Sequence, residues 1–139
     1  MAGVKHLAVI IAAVVFFALG AAWYTLLSAP WLAGIGKSMA DVQRDTGGPA
    51  VSYVIGFVAI LVMCYTLAWA IARCDQRSTM EGAAMGIKVA VGFVAANLAL
   101  NYGFEGRGVS LWLINAGYAV AGLAIAGAII GRMSGAPPR

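Results

Sequence analysis

Gly108-Val109-Ser110-Leu111-Trp112-Leu113-Ile114-Asn115-Ala116-Gly117-Tyr118-Ala119-Val120-Ala121-Gly122-Leu123-Ala124-Ile125-Ala126-Gly127-Ala128-Ile129-Ile130-Gly131 holds no charged side chain. As a helix rising about 1.5 Å per residue, it is long enough to cross the roughly 30 Å of a bilayer's hydrocarbon core. Its apolar residues do not alternate with polar ones, as a barrel strand would require, so the run reads as a spanning helix.

Three more runs flank it. No charge occurs from Leu7 to Gly36 or from Thr46 to Ala72, and only Lys88 interrupts Gly82 to Phe104. Of 139 residues, 63% are hydrophobic and 10% charged. A soluble domain has about 25% charged residues, and one this small could not hide so much apolar surface. The spacing predicts spans at about 5–28, 50–73, 81–104 and 109–132, in a single integral membrane domain covering 1–139. Short connections between the last three force antiparallel neighbours. The expected fold is all-α: a four-transmembrane-helix bundle.

The first connection is longer. Trp31, Leu32, Ile35, Met39 and Val42 recur at helical spacing, with Lys37, Asp41 and Arg44 filling the other side. This predicts one short amphipathic interfacial helix over about 30–45. The first span begins after Lys5 and resembles a signal peptide up to Ala21-Ala22. Its apolar stretch is too long for a signal core, so it is read as a retained anchor. Cys64 and Cys74 would lie roughly 15 Å apart along one helix, beyond disulfide reach.

Basic residues set the expected orientation. With the N-terminus inside, Lys5, Arg73, Arg77, Arg132 and Arg139 gather on the cytoplasmic side, with Lys88 near it. Lys37, Arg44 and Arg107 fall outside. Both termini are thus expected in the cytoplasm. The net charge of +4 suits anionic lipid rather than nucleic acid, since the basic residues are dispersed.

Small and polar residues mark the helix faces. Gly82, Gly86, Ala90, Asn97 and Asn101 fall on one side of the third span at about 100° per residue, with Glu105 continuing the row. Asn115, Ala119, Gly122 and Ala126 line the fourth, and Gly127 and Gly131 form a second small side. Such residues let backbones approach, and Asn can bond across the contact. The second side is expected to take another copy, giving a homo-oligomer. Lys88 projects from the opposite side of the third span and reads as a snorkelling anchor.

Polar groups converge where the third and fourth spans meet. Glu105, Arg107, Asn101, Asn115 and Tyr118, walled by Trp23, Tyr24, Trp31, Tyr102 and Trp112, could line an outward-facing pocket. Equally, Glu105 and Arg107 could pair at a tight turn while the Asn residues join helices. Asn101-Tyr102-Gly103-Phe104-Glu105-Gly106-Arg107, then Leu113-Ile114-Asn115-Ala116-Gly117-Tyr118, with Gly20-Ala21-Ala22-Trp23-Tyr24 and Trp31, resembles a family of small bacterial membrane proteins known as domain of unknown function 1761. The resemblance spans nearly the whole chain. It implies a four-span protein of a bacterial inner membrane and brings no established activity or cofactor. Many members carry His after the equivalent of Tyr118; Ala119 here weakens any role resting on an imidazole at that position.

Enzyme chemistry finds little support. His6 is the sole histidine, and no HExxH, Walker loop, paired-cysteine or GxSxG motif occurs. No cofactor or metal is implied. A transporter would call for mid-span ionisable groups or broken helices. The expected function is binding of a small amphipathic or lipid-like ligand, or a partner helix, near the outer leaflet. The alternative is a non-catalytic scaffold or accessory subunit of a membrane complex; a small transporter or lipid-modifying enzyme ranks below both.

Overall fold

A computed structural model describes residues 4–135. Arg139, used above for orientation, lies outside them. The described residues form helices α1 (His6–Leu26), α2 (Ser28–Ile35), α3 (Met39–Asp45), α4 (Pro49–Arg73), α5 (Thr79–Val89), a π-helical segment (Ala90–Ala95), α6 (Ala96–Glu105) and α7 (Val109–Ser134), with no strand among them. Four units are long and apolar enough to cross a membrane: α1, α4, the continuous rod Thr79–Glu105, and α7. This is the architecture of a multi-pass membrane protein.

Local chemistry sets the ends. Pro49 opens α4, where its missing N–H costs nothing. Ser38 with Asp41, and Ser78 with Glu81, form reciprocal capping boxes at α3 and α5. The expected single interfacial helix over 30–45 is divided. Gly36 takes a left-handed conformation (φ 67°), which stops α2, and Ser38 starts α3 afresh. Asp41 accepts from the Ser38 hydroxyl and backbone N–H and pairs with Arg44, so its carboxyl is held below the usual carboxylate range.

Helix α7 is the hub, touching α1, α2, α4, α5 and α6. Its Leu123, Ala126 and Ile130 join Val9, Ala12, Ala13, Phe16, Cys64, Leu67 and Ile71 in one buried cluster. Against α5 the contact is backbone to backbone. A Cβ on Gly82 would collide with the Gly127 carbonyl, one on Gly86 with that of Leu123, and one on Gly131 with that of Ser78. On another side, Gly122 seats the Phe16 ring. Both small-residue sides of α7 are therefore occupied within the chain. The expectation that Gly127 and Gly131 are free for another copy is corrected.

The third span also departs from the expected single row. Gly82, Gly86 and Ala90 are buried, as spaced, but the π segment then adds a residue to the turn and rotates the rest of the rod. At its last residue Ala95 is buried, and beyond it Leu98 and Tyr102 are half-buried, whereas Asn97 and Asn101 are exposed. Asn97 and Asn101 are thus not part of the internal row that begins at Gly82.

Two outcomes follow. Gly127→Ala should lower stability in detergent by about 1–3 kcal/mol, because carbonyl groups rather than flexible side chains must move. Gly56→Ala, where a Cβ meets only Phe17 at 3.9 Å, should cost far less. For Asp41, an NMR titration should place its midpoint below that of a free aspartate. The stabilisation it gives α3 is complete above the unfolded pKa and is lost as pH falls through the lowered folded one; Ser38→Ala should move the midpoint up.

Candidate functional site

At the end of the bundle marked by the Gly106 turn, four segments meet. Gly106, in a left-handed conformation (φ 67°), lets the Arg107 N–H return to the Tyr102 carbonyl at 2.9 Å. The same turn folds Arg107 over the Tyr102 ring, 5.4 Å from its centroid, and pairs it with Glu105. Both charged side chains stay partly exposed, at 40% and 49%.

A chain of hydrogen bonds leads inward from this pair. The Asn115 amide donates to the Tyr102 hydroxyl at 2.7 Å, and Tyr24 donates to the Asn115 carbonyl oxygen at 2.8 Å. The Tyr24 ring packs edge-on against Trp31 at 5.7 Å and Tyr118 at 5.2 Å. Tyr118 donates to the Phe16 carbonyl at 3.1 Å, and Trp23 to that of Ile114 at 3.0 Å. These last contacts depend on missing side chains. A Cβ on Gly20 would lie 2.5 Å from the Tyr118 hydroxyl, and one on Gly117 would lie 3.1 Å from the Trp23 ring.

The structure thus joins Glu105, Arg107, Tyr102, Asn115, Tyr24, Trp31, Tyr118 and Trp23 into one contiguous network. It does not gather them around an open pocket: Asn115 spends both ends of its amide on tyrosines of its own chain, and Tyr118 faces α1, away from the Glu105–Arg107 pair. Asn101 stands outside the network, exposed. Trp112 points elsewhere, donating to the Ala95 carbonyl at 2.9 Å.

That last bond crosses an open space. α5 lies tight against α7 at the glycine crossing, whereas α6 touches α7 only sparingly beyond the π segment. Along α7 runs an apolar groove of about 590 Å³, lined on one side by Ile87 of α5, Val91 and Ala95 of the π segment and Ala96 and Ala99 of α6, and on the other by residues from Trp112 to Ala124. Ligand sites commonly fall between 300 and 1,000 Å³. The sequence reading named Trp112 but missed the other lining residues. Their signal was present: Leu113, Gly117, Val120 and Ala124 recur at 4-3-4 spacing on a third side of α7. Among the described residues, no group of three or more His, Cys, Asp or Glu could hold a metal ion.

A family model described as a protein of unknown function, DUF1761, matches residues 7–131. This chain belongs to that family. The matched span takes in the glycine crossing, the π segment, the groove and the whole aromatic–amide network. No curated protein and no solved structure matches the chain.

If the network joins the helices as drawn, Tyr24→Phe and Asn115→Leu should be coupled. A double-mutant cycle in detergent should give about 0.6–1.7 kcal/mol, the range for hydrogen bonds between spanning helices. Glu105→Gln should change stability by less than about 1 kcal/mol, because its ion pair is exposed.

Proposed function

We propose that this protein binds an amphipathic, lipid-like molecule in the groove between the third span and α7. The hydrocarbon portion lies along the small side chains between Ile87 and Ala99, and the polar portion lies at the Gly106 turn beside Glu105, Arg107 and Asn101. The observation that carries this reading is the groove itself, an apolar trough whose Trp112 end lies immediately after a charged turn. Arg107 offers donors to an anionic head and Glu105 accepts from a hydroxyl or amine. In the orientation expected from the basic residues, both termini are cytoplasmic, the membrane is the bacterial inner membrane, and the groove opens toward the outer leaflet.

A second reading is a non-catalytic scaffold or accessory subunit. One observation favours it: Asn115, the most central amide, has both hydrogen-bonding partners within its own chain. Two variants separate the readings. Ala121→Leu fills the groove wall, and Glu105→Gln removes charge from the head position. With binding, mass spectrometry of the purified protein shows one amphiphile enriched over the bulk lipid; both variants lose it several-fold with little change in melting temperature. A wild-type chain carrying only bulk lipid composition would sink the binding reading and leave the scaffold.

A further inference from the structure

The outward faces of the spans differ in one respect. The mid-span faces of α1, α4 and α7 carry no unsatisfied amide among the described residues. Thr66, exposed on α4, bonds back to the Val62 carbonyl at 2.9 Å and is at ease in lipid. Asn97 on α6 is different. It is exposed, and no described residue hydrogen-bonds to it. It lies about 7.5 Å along the axis from Gly92, the middle of Thr79–Glu105, and so within the hydrocarbon core. Its single methylene is too short to carry the amide to water, unlike the long stem of Lys88. An unpaired amide at that depth is costly.

The residues around Asn97 form a regular seam. Asn97, Leu100 and Phe104, all beyond the π segment, fall within about 60° of one another at 100° per residue, and Phe93 lies four residues before Asn97. Phe93, Leu100 and Phe104 are 75%, 58% and 88% exposed. This is the pattern of a coiled-coil seam with one asparagine at a core position, which fixes pairing register. Beside the seam, Gly92 has nothing of its own chain within 4 Å of a would-be Cβ, so no internal contact requires glycine there.

We propose that a second copy of this chain docks on this face of α6, pairing Asn97 with Asn97 across a two-fold axis along the membrane normal. Complementarity selects the occupant. A carboxamide carries both donor and acceptor. Copies inserted with one topology present Asn97 at one depth, so a self-paired interface supplies both halves of the bond. The seam lies to the side of the groove between the third span and α7, so this pairing stands independently of amphiphile binding. It also replaces the α7 glycines as the homo-oligomer interface.

The test is single-molecule photobleaching of the full-length chain in phosphatidylcholine vesicles over a range of protein-to-lipid ratios. The wild type should show a monomer–dimer equilibrium, and Asn97→Leu should weaken it roughly 3- to 30-fold. Asn97→Gln should retain most of the association. In a Cys74→Ser background, Leu100→Cys should form an intermolecular disulfide and Val62→Cys, on the α4 face, should not. Monomer at every ratio, association unchanged by Asn97→Leu, or equal capture at Val62→Cys would each overturn the proposal.

Discussion

The crossing of Gly82 and Gly86 on Gly127 and Gly131 is the contact on which the other arrangements depend. In hydrocarbon there is no hydrophobic drive between helices, so close packing must hold them. Here two backbones meet with carbonyl groups against bare Cα atoms. That fixes α7 against the third span at one end. With this side and the Gly122 seat for Phe16 both filled, α7 becomes the shared wall of the bundle.

The π segment then decides what the other end can do. It lies between the tightly packed α5 and the loosely packed α6, and it turns the rod so that Tyr102 rather than Asn101 faces inward. Tyr102 thereby meets Asn115, and Asn115 meets Tyr24, which ties α6, α7 and α1 together through side chains instead of backbone. The same rotation presents Asn97 to the outside, while the groove runs along α7 past the end of α5, the π segment and the start of α6. The network and the seam are two consequences of a tight crossing followed by a one-residue shift.

Most of the fold was legible because lipid imposes simple rules: uncharged runs of sufficient length must be helices. The small residues at Gly82, Gly86, Gly127 and Gly131 were legible as contact surfaces. What covers them was not, since periodicity names a face and not its partner. The π segment was invisible because Ala90-Val91-Gly92-Phe93-Val94-Ala95 carries nothing that distinguishes one helical winding from another, so Asn97 and Asn101 were set on the inner side. At the site, Trp23 and Trp112 were read as walls of an outward-facing pocket. Their N–H groups instead bond named carbonyls, a fact that depends on the glycines and on the separation opposite them.

The rotation of α6 is the central claim and can be measured directly. Spin labels placed singly at positions 93–104, in vesicles dilute enough to keep the chain monomeric, report oxygen accessibility residue by residue. The account predicts maxima at 93, 97, 100 and 104 and minima at 95, 98 and 102. Minima at 97 and 101 would mean an uninterrupted row from Gly82, and would contradict it.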